Sequence, residues 1–352
     1  MCKITTYAFN RKVIANQTSI MPEFKIHRIL IITCCYLCLT IICYCDVTAT
    51  TFLLPLNPED NVVGDKPDQA EFTHAAEEDT LLDVARRFDM GQNEILLLNP
   101  EVDRWMPGTS VKIRVTNSRI LPDTPREGIT LNLPEFRLYY FSREGTDVPQ
   151  TVATYPISIG RQDWETPQGR TTVTTKKENP TWTPPQSIKE EHAAKGDILP
   201  DVVPAGPDNP LGLYAMRLGI PGYLIHGTNK PYGVGMRVSH GCVRMYPEDI
   251  EKLFPEVNIG LPVYIVNQPI KIGWLDDILY IEVHPQMEGH ELSYEQSLEE
   301  ALILIRKSYS NQISAIDASA MRQALEQQNG IPTAISRRQH VDKEQLLDEQ
   351  LF

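Results

Sequence analysis

Leu224-Ile225-His226-Gly227-Thr228 and, one loop later, Val238-Ser239-His240-Gly241-Cys242-Val243-Arg244 are the stretch around which this chain is read. Six of the seven cysteines (Cys2, Cys34, Cys35, Cys38, Cys43 and Cys45) fall within the first 45 residues, so Cys242 is alone in the remainder. A thiol beside a histidine is the smallest kit for nucleophilic catalysis: the imidazole takes the proton and the thiolate attacks a carbonyl. Gly241 lets the backbone turn sharply, and successive N–H groups at His240, Gly241 and Cys242 are suited to hold an oxyanion. Two other readings stand beside this one. A lone cysteine is more often an inert core residue. His226, His240 and Cys242 could together hold zinc, although paired ligands at standard spacing are absent.

The arrangement is more specific than its parts. His226-Gly227, eleven residues, then Ser239-His240-Gly241-Cys242-Val243-Arg244 resembles the signature of the L,D-transpeptidases, the YkuD-domain family that includes the ErfK, YbiS, YcfS and YnhG group. The resemblance runs from about Gly128 to about Gln268 and takes in Thr166-Pro167-Gln168-Gly169, Asn179-Pro180-Thr181-Trp182-Thr183-Pro184-Pro185 and Asn209-Pro210-Leu211-Gly212. It implies a mainly β, sandwich-like catalytic domain with Cys242 as nucleophile and His226 as base. The partner of the base falls at Gly227, where only a backbone carbonyl is available. It implies attack on the carbonyl between the third residue of a peptidoglycan stem (meso-diaminopimelate) and the terminal D-alanine. The acyl group then passes to an amine, giving a crosslink between stems or a tether to an outer-membrane lipoprotein. Water as acceptor would make the enzyme an L,D-carboxypeptidase. No cofactor and no metal are implied, and carbapenems are expected to acylate Cys242. The rival from another class is a non-catalytic wall-binding protein.

Composition bounds the rest. The 352 residues suffice for two domains with extensions, and a net charge of −13 argues against nucleic acid as a partner. Residues 29–45 are uncharged and largely apolar, with Lys25, His27 and Arg28 before them and Val47-Thr48-Ala49 after. This reads as an export signal spanning 1–49, with Met21 a second candidate start and a retained membrane anchor the alternative. Export places the chain in the periplasm, where a solitary free thiol implies a function.

Residues 50–70 read as a linker. In 71–116, Asp79-Thr80 caps a run with apolar residues at Leu81, Leu82, Val84, Ala85 and Phe88, a helical spacing. Asn93–Leu98 reads as a second helix stopped before Pro100, and Ser110–Val115 as a strand. Strand, two helices and strand resemble a LysM domain, which binds wall glycan, although Glu77-Glu78 stand where that motif has a glycine. A plain spacer is the other reading.

The catalytic domain is expected at 128–268. Strands are expected at 128–133, 137–141, 151–160, 170–176 and 261–266, a hairpin at 214–226, and a helix from Pro247 to Phe254. Residues 180–210 carry seven prolines and read as a long irregular functional loop. In it Trp182 either stacks on substrate or plugs the loop onto the sheet, and His192 is solvated. His240 either shares the face of Cys242 or bonds structurally. Ser239 is a candidate substrate contact or a bond internal to its loop. Arg244 either grips a substrate carboxylate or pairs with Glu248 or Asp249. The extension 269–352 is expected to hold a strand near 274–283, a helix capped by Ser293 and Gln296, and a second helix at 318–327. A frayed polar tail from 333 is expected, with His284 and His290 at the surface.

Overall fold

The computed structural model describes residues 50–67, 69–142, 149–309 and 315–338, so the leader read at 1–49 and the end of the tail lie outside it. Among the described residues no helix is long and apolar enough to cross a membrane. In chain order come β1 (Thr50–Leu53), β2 (Val62–Val63), β3 (Glu71–Thr73), α1 (Leu81–Arg87), α2 (Gln92–Leu98), β4 (Ile113–Val115) and β5 (Arg119–Ile120). Next are β6 (Gly128–Asn132), β7 (Arg137–Phe141), β8 (Thr151–Gly160), β9 (Gly169–Glu178), α3 (Gln186–Ala194), β10 (Tyr214–Leu218) and β11 (Leu224–His226). Then follow β12 (Arg237–Ser239), β13 (Val243–Met245), α4 (Pro247–Glu256) and β14 (Pro262–Val266). The last are β15 (Ile270–Leu275), β16 (Ile278–Val283), α5 (Tyr294–Tyr309), α6 (Ala318–Gln327) and β17 (Thr333–Arg337).

The catalytic domain is mainly β. Alternate residues of its strands, among them Ile129, Leu131, Leu138, Ile157, Met216, Ile225, Val243 and Val263, turn inward and bury together. The main sheet runs β1-β8-β13-β11-β10-β9-β14-β6-β7, and β7 pairs again with β8. The hydrogen-bonded path therefore closes on itself, because β8 is long enough to serve both ends: Val152–Pro156 pair with β7, whereas Ile157 and Ser158 pair with β13. Pairing is mixed, with parallel ladders at β11–β13, β14–β6 and β12–β8. The stretch 50–70 is more than a linker, since β1 adds an edge strand to β8 and β2 pairs with β5.

Residues 71–115 form a βααβ unit with its own core of Leu81, Val84, Ile95, Ile113 and Val115. It is docked on the catalytic body. Glu94 of α2 pairs with Arg119 and, at 2.7 Å, with the fully buried Arg137 of β7. Arg86 binds Glu248 of α4 through two nitrogens at 2.6 and 2.7 Å. The first amides of α2, at Gln92 and Asn93, donate to Val234 and Gly235 carbonyls at 3.0 and 3.2 Å, in the loop that precedes Cys242.

The C-terminal extension is α/β. Strands β15, β16 and β17 form a sheet on which α5 and α6 bury Trp274, Ile281, Ile305, Leu325 and Ile335. The Ser293–Gln296 capping box is reciprocal. Two expectations fail here. Residues 333–337 are a strand, since Ile335 finds a place in the core, and His284 is buried. Its Nε2 lies 2.6 Å from Glu282 in a polar cluster joining the extension to β7. Lys271 Nζ sits 3.0 Å from Glu135 and 2.7 Å from Glu282 in that cluster. Glu135, Glu282 and His284 are the one close trio of ligand-type side chains among the described residues, and an ammonium already supplies the positive charge there.

Candidate active site

Three neighbouring strands build the site. In β11 and β13 Ile225 faces Val243 and His226 faces Arg244. Ile225 and Val243 are buried in the core, so their neighbours Leu224, His226, Cys242 and Arg244 share the opposite face. His226 and Cys242 are thus diagonal neighbours on adjacent strands, within reach of an aromatic ring. Strand β10 continues the face, with Ala215 opposite His226 and Arg217 opposite Leu224.

His226 is buried, and its Nδ1 lies 2.6 Å from the carbonyl oxygen of Gly227. A carbonyl only accepts, so Nδ1 carries the proton and Nε2 is left with a lone pair. Burial, then the nearby Arg244 guanidinium, push the imidazole down to about 3, against the pull of the Gly227 carbonyl. Burial pushes the Cys242 thiol up, partly offset by the Leu224 amide, Arg244 and Arg217. At neutral pH the thiol, whose Sγ lies 3.6 Å from the Gly222 carbonyl oxygen, and the imidazole on the adjacent strand are both neutral. Proton transfer between them needs a substrate that stabilises the charge as it forms.

The turn before the sulfur is fixed by packing. Gly241 has φ +95°, and a Cβ there would meet Tyr223 Cε1 at 2.6 Å. Thr166 Oγ1 donates to the Gly241 carbonyl at 2.8 Å and accepts from the Gly160 amide at 3.0 Å. With the Gly241 carbonyl engaged by Thr166, the turn is tied to the end of β8. Ser239 is a correction to the substrate-contact reading: it is 1 % exposed and its hydroxyl donates to the Cys242 carbonyl.

Arg244 makes no ion pair or hydrogen bond with another described side chain, and its Nε is buried without a partner. The two suggested intramolecular partners are otherwise disposed. Glu248 is held by Arg86. Asp249 is buried, and burial, then Asp89 and Glu248, push its carboxyl well above the ordinary aspartate value. His240 bonds structurally: its Nε2 lies 2.9 Å from Glu191 and 3.2 Å from Arg161, and its ring meets Trp164 edge-on. His226 and His240 thus have different partners, and they do not gather with Cys242 into a close ligand trio among the described residues.

The stretch 180–210 departs from an irregular loop by containing α3. Trp182, half-buried, pairs its backbone with Val203 at the neck of this excursion. His192 bonds Asp197 at 2.7 Å.

Residues 126–265 match the YkuD L,D-transpeptidase catalytic domain. Escherichia coli (strain K12) proteins resemble most of the chain. The probable L,D-transpeptidase ErfK/SrfK is 38 % identical over 257 residues, 72 % of this chain and 81 % of that protein. The probable L,D-transpeptidase YbiS is 40 % identical over 256 residues, 72 % of this chain and 82 % of that protein. The chain belongs to the YkuD L,D-transpeptidase family. Among solved structures, L,D-transpeptidase 3 from Mycobacterium tuberculosis is 22 % identical with a TM-score of 0.29, over 47 % of this chain and 72 % of that one.

For a member of this L,D-transpeptidase family, sequence reading missed several residues around the sulfur. Thr166 opens Thr166-Pro167-Gln168-Gly169, a run that by itself names no role for its hydroxyl. Tyr223, the Leu224 amide and Arg217 carry no local signature, and Glu191 belongs to a helix that was not expected.

Proposed function

We propose that this chain is an exported peptidoglycan L,D-transpeptidase working in the periplasm. The observation that carries the reading is the His226 tautomer, fixed by Gly227, on the strand beside Cys242. Cys242 gives its proton to Nε2 as its sulfur adds to the carbonyl between the third stem residue and D-alanine. The oxyanion is met by the amides of the Gly241–Cys242 turn. An imidazole held down to about 3 is a weak base but, once protonated, a strong acid, so it hands the proton promptly to the departing D-alanine amine. The C–N bond breaks and a thioester forms. An incoming amine then attacks the thioester, its proton passes to Nε2, and the thiolate leaves and is reprotonated. Arg244, without an internal partner, suits the D-alanine carboxylate.

The βααβ unit is read as LysM-like and glycan-binding. Supporting this, Trp105 and Met106 are 62 % and 80 % exposed on the loop before β4, an apolar platform of the kind sugars stack on. The amine is that of a second stem or of an outer-membrane lipoprotein.

The test is D-alanine release from a disaccharide-tetrapeptide. The wild-type chain is expected to release it, and Cys242→Ala to release none while still binding wall sacculi. Equal release by both would overturn the nucleophile assignment, and release by neither would favour a wall-binding protein. Mass analysis with stem peptide, lipoprotein and water in competition identifies the acceptor.

A further inference from the structure

Arg217 is an unpaired cation on the catalytic face. It is exposed in β10, and its guanidinium makes no ion pair or hydrogen bond with another described side chain, in a chain where acidic residues outnumber basic ones by 46 to 33. Arg217 faces Leu224, and the β11–β13 register puts Cys242 beside Leu224. Arg217 and Cys242 therefore stand in one row, two strands apart, and Ala215, His226 and Arg244 form the next row on the same face. With strands about 4.8 Å apart, the two α-carbons are separated by roughly 10 Å, a gap that an extended arginine largely spans. The sulfur feels this charge.

The two residues joined by the bond that breaks, diaminopimelate and D-alanine, carry one free carboxylate each. One belongs to the leaving D-alanine, a short step from the scissile carbonyl. The other ends the diaminopimelate side chain, a full side-chain length away. Arg244 lies close to the sulfur along its own strand, and Arg217 lies farther off, two strands across in the sulfur's own row. The two separations match the two carboxylates.

We propose that Arg217 is a specificity-determining residue that pairs with the distal carboxylate of the donor stem's third residue. The enzyme then selects stems in which that carboxylate is free over stems in which it is amidated or absent. This rests on the donor chemistry proposed above. Guanidinium suits the task, because it is always charged and meets a carboxylate with two parallel N–H bonds.

The experiment uses the full chain and two disaccharide-tetrapeptides that differ only in whether the distal carboxylate is free or amidated, with D-alanine release as the readout. The wild-type kcat/KM is expected to favour the free carboxylate by about tenfold or more, the worth of one charge-assisted contact. In Arg217→Gln the ratio should fall close to one, and Arg217→Lys should restore part of it. Arg244→Gln should slow both stems and keep the ratio. Any effect of the lost charge on the sulfur falls on both stems and cancels. A wild-type ratio near one, or a ratio that survives Arg217→Gln, would overturn the proposal. Release from neither stem by the wild-type chain would overturn the donor chemistry itself and this proposal with it.

Discussion

His226 carries two burdens that pull against each other: it is buried on the sheet, and the proposed reaction asks it to accept a proton. Burial and Arg244 hold it at about 3 against an ordinary 6.5. The unfolded chain thus binds a proton at this residue throughout the interval in which the folded chain does not. Stability from this residue is complete above 6.5 and is lost as pH falls through that window toward 3. Between pH 6.5 and 5 the buried Asp89 and Asp249, whose carboxyls are raised, push the other way, so the reading is a difference: in thermal melts the wild-type midpoint should fall relative to that of His226→Gln as pH is lowered. Gly241 faces a steric limit. At φ +95° with Tyr223 underneath, alanine meets both the left-handed penalty of about 1–2 kcal/mol and a clash at 2.6 Å. Gly241→Ala should fold but lose about a hundredfold in kcat/KM, because a small shift of the turn misplaces the amides. Cys242, His226 and Gly227 were legible because they sit in contiguous motifs. Tyr223 was not, because its role is to lie beneath a glycine from another strand.

At the scale of elements, α3 is the instructive one. Ile188 is its single fully buried residue, so no apolar stripe marked it in the sequence. What fastens it is polar: Glu191 meets Arg161, Lys195 and His240 together. Glu191→Ala should leave Arg161 and His240 without their carboxylate and loosen the helix. Amide exchange across residues 186–194 should then quicken by at least about tenfold, with exchange in β8 unchanged. Strand β17 was missed for a related reason, since its buried residues gain their place only by pairing with β16. The long strands and α4, by contrast, were legible because β-branched runs and Pro247 at a helix start speak locally.

Across the whole molecule, how the parts join was the least legible feature. Arg137 and Glu94 are 43 residues apart in sequence, and nothing local to either announces that they meet. Such buried pairs fix orientation more than they add stability, but breaking one strands a charge at a cost of about 3–5 kcal/mol. Glu94→Ala should therefore lower the melting temperature and split one unfolding transition into two, with the βααβ unit going first in calorimetry. The same joints have a geometric result. Glu94, Arg86 and the α2 amides all hold the small unit to the catalytic body among the described residues. On the glycan-binding reading proposed above, a repeating polymer held by the small unit would be presented at a set offset, and the molecule would work as a gauge. Reaction along such a polymer should recur at a constant pitch, and a clamp-breaking variant should blur it.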